Sequence, residues 1–132
     1  MIVRNLSEIE RDHTVRGETW TSRRLLLAGD GVGFSMHDTV LAAGTTTQMW
    51  YRNHIEAVYC IEGKGAIRDL ATGVDHAIEP GTLYCLNEHD QHILYAHSEL
   101  RVVCVFNPPV VGPETHDADG AYPLLSPEDV SS

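Results

Sequence analysis

The chain has 132 residues and a formal net charge of −10, from 19 acidic and 9 basic residues. This acidity argues against nucleic-acid binding, which requires basic patches, and it favours solubility. No apolar run approaches the roughly 20 residues of a membrane-spanning helix, and the charged N-terminal segment lacks the apolar core of a signal peptide. We therefore expect a single cytoplasmic domain over residues 1–132, with one hydrophobic core.

Short segments of strand-like pattern alternate with turn residues along the whole chain. Because no long helical period interrupts them, the pattern predicts an all-β protein with few short helices, and closure of sheet edges favours a double-sheet jelly roll around a small ligand. After residue 110 we expect a C-terminal tail, along the surface or over the pocket mouth. The expected strands are 1–6, 19–27, 33–42, 54–61, 65–70, 76–78, 82–86, 91–95 and 100–106, with a turn or one helical turn at 7–13 and a loop at 43–47.

The three cysteines, Cys60, Cys85 and Cys104, each lie in an apolar, strand-like segment. An odd number without a Cys-x-x-Cys pair disfavours both a disulfide framework and a zinc knuckle. We therefore predict three buried, reduced thiols.

The central strand carries a histidine and a glutamate two residues apart, followed by an apolar run and a Glu-Gly-Lys-Gly turn typical of a hairpin. Alternate side chains of a strand share a face, so His54, Glu56 and Val58 point the same way. A carboxylate on an apolar face needs a cation, a donor or a metal, which indicates a pocket. The alternative is a glutamate–histidine pair at a solvent-facing rim, which antiparallel sheets commonly allow.

A second segment carries Tyr84 and His92 on either side of the turn at 87–90. We expect them side by side on paired strands, close to Glu56. A carboxylate, a phenolate and an imidazole suit a hard or borderline divalent metal such as Fe(II) or Mn(II), and they leave open positions that structural zinc lacks. The alternative is a core tyrosine and a surface histidine.

Two spacings resemble the paired motifs of the cupin superfamily. One is Glu-x6-Gly beginning at Glu56, and the other is the glycine-led stretch that ends at His92. Cupins usually carry a His-x-His pair before the glutamate, but residues 49–52 (MWYR) contain no histidine. An ordinary four-ligand cupin metal site is therefore absent.

With blocks such as NHIEAVYCIEG and CVFNPPVVGPETHD, the chain resembles the ectoine synthase family over almost its full length. The resemblance implies a cupin barrel, usually a homodimer, that closes N-γ-acetyl-L-2,4-diaminobutyrate into the compatible solute ectoine with loss of water, a response to osmotic stress. It also implies a catalytic iron on Glu56, Tyr84 and His92, for which Mn, Co and Zn are alternatives. The metal would polarise the acetamide oxygen as a Lewis acid, and a compact pocket would bring the amine to that carbon.

The same resemblance implies a substrate pocket. Arg24 would hold the substrate carboxylate by charge-assisted hydrogen bonds, while Trp20 and Phe106 would wall the ring. Two further pocket positions fall on Thr39 and Cys104, with His37 beside Thr39. The candidate acids and bases are Tyr51, His54, Glu114 and His116.

Two other functions remain open. One is a different metal-dependent cupin enzyme, such as a dioxygenase or an isomerase; the missing histidine pair counts against it, because oxygen-activating iron commonly uses two histidines and a carboxylate. The other is a non-catalytic small-ligand sensor, against which the lack of a DNA-binding domain in this chain counts.

Overall fold

A computed structural model describes residues 1–118 and 120–124 of the chain. Strands predominate in that part, and none of its helices has the length and apolarity needed to cross a bilayer. A 3-10 turn, Ala28–Asp30, follows the second strand. The elements are α1 (Leu6–Asp12), β1 (Thr14–Arg16), β2 (Trp20–Leu26), β3 (Ser35–Leu41), β4 (Thr45–Met49), β5 (Ile55–Glu62), β6 (Gly65–Asp69), β7 (Asp75–Ile78), β8 (Leu83–Leu86), β9 (His92–Ala96) and β10 (Leu100–Asn107).

The strands form two antiparallel sheets. The larger has the order β1-β2-β3-β10-β5-β8, and the smaller has the order β4-β9-β6-β7. Alternation along each strand sends one set of side chains inward: in β10, Leu100, Val102, Cys104 and Phe106 are buried, and the residues between them are half-exposed. The predicted double-sheet, all-β architecture is confirmed.

The core lies between the two sheets. The smaller sheet contributes Met49 and Leu94, and the larger contributes Val58, Leu100 and Phe106 to the same buried cluster. Burying each large apolar side chain contributes roughly 1.5–3 kcal/mol. This shared interior holds the sheets together and surrounds the candidate site.

The N-terminal strand predicted at residues 1–6 is wrong, because residues 1–5 have no regular structure and α1 begins at Leu6. The side chain of Asn5 caps the helix by accepting a hydrogen bond from the backbone N–H of Ser7 at 3.0 Å. Such a cap satisfies a donor that has no partner within the helix. The helix has 7 residues, so it exceeds the single turn that we expected.

The loop predicted at 43–47 is also wrong, since β4 occupies most of it. Thr45, Thr46 and Thr47 pair with Ala96, Tyr95 and Leu94 of β9. Threonine is β-branched and favours strands when a partner strand is available. The partner lies far along the chain, so the local pattern did not reveal it.

Two predicted strand pairings are wrong because the chain crosses between sheets. β5 belongs to the larger sheet and β6 to the smaller, so the turn after Glu62 is a crossover rather than a hairpin. Gly63 makes this crossing with φ of 93°, directly against the backbone of Glu99, where no Cβ fits. Tyr84 on β8 and His92 on β9 likewise lie in opposite sheets rather than on paired strands.

The prediction of three buried thiols holds for two of them. Cys60 and Cys104 are buried, whereas Cys85 is exposed. Cys85 lies on β8, the edge strand of the larger sheet, between the inward-facing Tyr84 and Leu86. Alternation therefore turns its thiol outward.

Candidate active site

A small cavity of about 30 Å³ lies between the sheets. Both sheets and the C-terminal tail contribute to its walls, and no lysine or arginine is among its lining residues. Nine of the thirteen residues selected from the sequence line it: Trp20, His37, Thr39, Tyr51, Glu56, Tyr84, Cys104, Phe106 and His116. The other four, Arg24, His54, His92 and Glu114, are buried outside this lining.

Glu56 is a buried carboxylate without a cationic partner. It lies on β5 opposite Phe106 of β10, and its exposed fraction is 5%. No ion pair to Glu56 forms within residues 1–118 and 120–124. Burial raises the pKa of Glu56 to about 8, against a smaller lowering by a hydrogen bond with Cys104. Without a cation nearby the group is therefore mainly protonated near pH 7, and a bound cation would favour its ionised form.

His92 offers a ring nitrogen with no partner. It lies on β9, and its Nδ1 is 2.9 Å from the backbone oxygen of Asp90. A carbonyl oxygen only accepts, so Nδ1 carries the hydrogen and Nε2 keeps its lone pair. That Nε2 is buried without a hydrogen-bond partner, and burial lowers the pKa of His92. Metal-binding histidines commonly have this arrangement, with the second nitrogen oriented by a carbonyl.

Tyr84 shares the cavity lining with Glu56 and an outer groove with His92. It lies on β8 opposite Val58, lines the cavity together with Glu56, and also lines an outer groove that His92 shares. Burial and the neighbouring Glu56 raise the pKa of its phenol. Tyr84 therefore lies where the cavity meets the groove.

These three side chains fit a divalent metal by their chemistry. In the described part of the chain no three His, Cys, Asp or Glu residues cluster closely enough to hold a metal. A site on Glu56 and His92 would therefore need a third ligand of another type, and the phenol oxygen of Tyr84 is a donor of that kind. The unpaired carboxylate of Glu56 and the free Nε2 of His92 are the donors that a divalent ion of intermediate hardness accepts.

Tyr51 and His116 form a hydrogen-bonded pair in the cavity wall. The Tyr51 hydroxyl is 2.7 Å from Nε2 of His116 and 3.3 Å from the sulfur of Met49. Burial, with Arg24 and His92 nearby, lowers the pKa of His116 to about 4, so the imidazole is neutral near pH 7. The neutral imidazole makes this bond in either tautomer, with Nε2 accepting from the hydroxyl or donating to it.

Glu114 and Arg24 hold the tail rather than line the cavity. The carboxylate of Glu114 accepts the backbone N–H groups of Val111 at 2.7 Å and Gly112 at 2.8 Å. Arg24 donates to the backbone oxygens of Gly112 at 2.6 Å and Glu114 at 2.7 Å. Both side chains are almost fully buried. Their charges are therefore used to fix the segment that carries His116.

His54 and Trp20 support the cavity wall from different sides. The ring of His54 meets Phe106 edge-on at 5.8 Å, its Nδ1 has no hydrogen-bond partner, and burial lowers its pKa. The indole of Trp20 lies 5.0 Å from His116. His54 therefore shares the inward face with Glu56, as predicted, and it is buried rather than at a solvent rim.

Tyr122 is a cavity residue that the sequence reasoning missed. It is 4% exposed and lines the cavity with Tyr51 and His116. Its signal was an aromatic residue within an acidic, proline-containing tail, since large aromatics contribute most when they are buried. The last part of the predicted tail, 125–132, lies outside the described residues.

Comparison with known proteins identifies the family. The sequence model of the ectoine synthase family matches residues 1–126. The chain belongs to the ectoine synthase family. The L-ectoine synthase of Desulfosudis oleivorans is 59% identical over 127 residues, which cover 95% of this chain and 98% of that protein.

Solved structures agree with this family and with the fold. A crystal structure of ectoine synthase from P. lautus has a TM-score of 0.85 and 52% identity, covering 100% of this chain and 96% of that one. A Cupin_2 domain of an XRE family transcriptional regulator from Enterobacter cloacae has a TM-score of 0.58 at 16% identity, covering 70% and 99%. The second likeness concerns the fold alone, and it confirms the cupin barrel predicted for this member of the ectoine synthase family.

Proposed function

We propose that this chain catalyses ring closure of N-γ-acetyl-L-2,4-diaminobutyrate to ectoine, as a carbon–oxygen lyase that releases water. An amine and an amide become a cyclic amidine, and the amide oxygen leaves with two protons from the amine. The observation that carries the proposal is the small cavity that Glu56, Tyr51 and His116 line together, in a chain of the ectoine synthase family.

We assign a divalent metal to Glu56, Tyr84 and His92. The unpaired buried carboxylate and the free imidazole nitrogen support this assignment. Fe(II) follows from the family resemblance, with Mn, Co and Zn as alternatives. When bound, such an ion supplies Lewis acidity toward the acetamide oxygen, which makes a poor electrophile reactive.

Proton movement is assigned to Tyr51 and His116. A neutral imidazole accepts the Tyr51 proton across the 2.7 Å hydrogen bond while the phenol oxygen takes one from the substrate amine. The reverse transfer delivers a proton to the departing oxygen, so the pair returns to its starting state after each shuttle. General acid–base catalysis of this kind typically contributes about 10²–10⁴-fold to a rate. Glu114, through its hydrogen bonds to the tail backbone, keeps His116 in place.

Substrate binding is assigned to the apolar walls and to Arg24. Trp20 and Phe106 line the cavity, and burial raises the pKa of Cys104 well above its ordinary value. The thiol therefore stays protonated and acts as a small wall residue beside Thr39, 3.8 Å away, rather than as a nucleophile. Arg24 reaches a substrate carboxylate when that group displaces the tail carbonyls to which it now donates.

The cavity is too small for the whole substrate in its present form. About 30 Å³ is room for only one or two waters, whereas the proposed substrate has far more atoms than that. His116 and Tyr122, both on the tail, close part of this space. Substrate binding therefore requires this space to widen.

We also propose that the protein is a cytoplasmic homodimer, as the family resemblance implies. Exposed apolar residues on the outer side of the larger sheet support the dimer. They include Ile55, Tyr59 and Leu83, and the last of these lies on the edge strand β8. An exposed edge with apolar neighbours is a surface that proteins commonly cover.

A turnover assay tests the function directly. Protein stripped with chelator is reloaded anaerobically with Fe(II) and given N-γ-acetyl-2,4-diaminobutyrate, and NMR follows the ring-closed amidine. We expect iron-dependent product with the wild type and none with Glu56→Ala. A folded, metal-loaded protein that forms no product with any divalent metal would contradict the proposed function.

A further inference from the structure

The ring of Tyr122 packs against several aromatic residues of the cavity wall. Its ring centroid lies 4.9 Å from that of His116, 5.1 Å from that of Tyr51 and 5.2 Å from that of Phe106. The planes of the His116 and Tyr122 rings are 35° apart, so the two rings pack in a tilted arrangement. Both members of the proton-carrying pair therefore rest on one side chain.

Three contacts hold Tyr122 itself in place. The guanidinium of Arg24 lies over its ring at 5.3 Å and approaches its hydroxyl at 3.4 Å. The side-chain N–H of Asn53 donates to the backbone oxygen of Tyr122 at 3.0 Å. Nearby, the backbone N–H of Trp50 donates to Gly120 at 3.0 Å. The tail is thus fastened to the barrel from both the backbone and the ring.

Gly120 allows the tail backbone to approach the barrel closely. It has φ of 75°, in the left-handed region that favours glycine, and a Cβ there would meet the backbone of Gln48 and Met49. The tail backbone therefore lies directly against the end of β4, just before Tyr51. This placement brings Tyr122 over the pair that the reaction uses.

We propose that Tyr122 is a positioning residue whose ring holds the Tyr51 hydroxyl and the His116 imidazole together in the cavity wall. The inference rests on the proposed roles of that pair. Proton transfer depends steeply on donor–acceptor geometry, and a displacement of about 1 Å can cost roughly a hundredfold in rate. A wide ring whose face packs under Arg24 and whose backbone oxygen accepts from Asn53 limits such displacement.

The ring also keeps water away from His116. The pKa of His116 is lowered chiefly by burial, and Tyr122 covers one side of its ring. Removing that cover hydrates the imidazole and moves its pKa toward the ordinary value of about 6.5. A general loss of stability elsewhere in the protein does not have this effect, so the titration of His116 reports on positioning specifically.

Two substitutions at this position separate the ring from the hydroxyl. In Tyr122→Leu we expect kcat to fall by roughly ten- to a hundredfold and the His116 NMR titration to move upward. In Tyr122→Phe, which keeps the ring, we expect an unchanged His116 titration and a smaller loss of kcat than in Tyr122→Leu, since only the hydroxyl's contacts with Arg24, at 3.4 Å, and with Tyr51 are removed. Tyr95→Leu is the matched control, because Tyr95 packs on Arg68 away from the cavity and should leave both readouts unchanged.

Each other outcome overturns the proposal. Wild-type kcat and titration in the leucine variant would show that the ring positions nothing, and equal losses in both variants would make the hydroxyl the active group. If the leucine variant does not fold, Asn53→Ala replaces it by releasing the Tyr122 backbone; a smaller upward shift of the His116 titration is expected, and no shift would reject the inference. Absence of turnover in the wild type would reject the proposed function alone, because the titration does not depend on turnover.

Discussion

Two carboxylates of this protein have similarly low solvent exposure but differ in whether the fold pairs them with a cation. Glu56, on the inner side of the larger sheet, is 5% exposed, and Asp38, on its outer side, is 6% exposed. Arg23 and Arg101 both form ion pairs with Asp38, at 2.8 Å in the case of Arg101. Among the described residues, Glu56 has hydrogen-bonding contact only with the neutral thiol of Cys104. Asp38 is paired within the fold, whereas Glu56 has no cationic partner among the described residues.

The pKa values of these groups reflect the difference. Burial alone would raise the pKa of Asp38, but hydrogen bonds from Arg101 and Arg23 outweigh it and lower the value. Burial raises the pKa of Glu56 to about 8 because no such donor opposes it. A buried charge without a partner is costly, so its presence indicates a functional site, whereas the paired group indicates a structural one.

Replacing the unpaired carboxylate should produce the largest change. We expect Glu56→Gln to lower turnover by at least about a hundredfold, because the neutral amide is a far weaker metal ligand. The metal content after dialysis should fall with it, as measured by elemental analysis. The same shape is kept, so the variant should fold. A glutamine variant that retains both metal and turnover would contradict the role assigned to Glu56.

The pH dependence of the unfolding free energy of metal-free protein should report on the ionisation of Glu56. The folded pKa is about 8, above the ordinary unfolded value, so its contribution is full at acidic pH and is lost as pH rises toward 8. Between pH 5 and 8, the difference in unfolding free energy between wild type and Glu56→Gln should shift by about 1.4 kcal/mol per pH unit against the wild type. Urea titrations of both proteins across this range measure the shift, and a flat difference would mean that Glu56 is ionised without metal.

Removing the ion pairs of Asp38 should lower the free energy of unfolding and leave turnover unchanged. Asp38→Asn leaves two arginines without their shared carboxylate, and since both are partly exposed we expect a loss of about 1–3 kcal/mol in urea unfolding. The pKa of Asp38 is lowered on folding, so the loss should be full above pH 5 and should vanish as the carboxylate protonates in acid. Turnover at low temperature should match wild type; a specific loss of kcat would place Asp38 in the functional site instead.

The smallest effect is expected at the rim of the paired site. Arg101 has a side chain 32% exposed and contacts Asp38 through two nitrogens. Arg101→Lys keeps the charge but loses this two-point contact, which should cost about 0.5–1 kcal/mol or less. Adding salt should reduce the difference from wild type further. A loss as large as that of Asp38→Asn would show that geometry, rather than charge, stabilises the cluster.

Much of the site could be predicted from local sequence because strands alternate strictly. The two-residue period places His54, Glu56 and Val58 on one buried face whatever the strand pairs with. The same period explains why Cys104 and Phe106 point inward together on β10. The family resemblance, carried by specific blocks of residues, then supplied the reaction.

Strand partners and the course of the tail were decided only by the tertiary structure. Tyr84 and His92 lie in opposite sheets, and a loop predicted at 43–47 is paired as β4, because pairing joins residues far apart in sequence. The sequence likewise left open whether the tail follows the surface or covers the pocket mouth.

The tail turns inward because Arg24 donates hydrogen bonds to its backbone carbonyls. His116 and Tyr122 therefore lie over the cavity. The sequence by itself thus determined which faces are buried and which chemistry lies on them, since both follow from the local period and the residue types. Only the tertiary structure determined which of those residues meet, because that depends on contacts that no short segment contains.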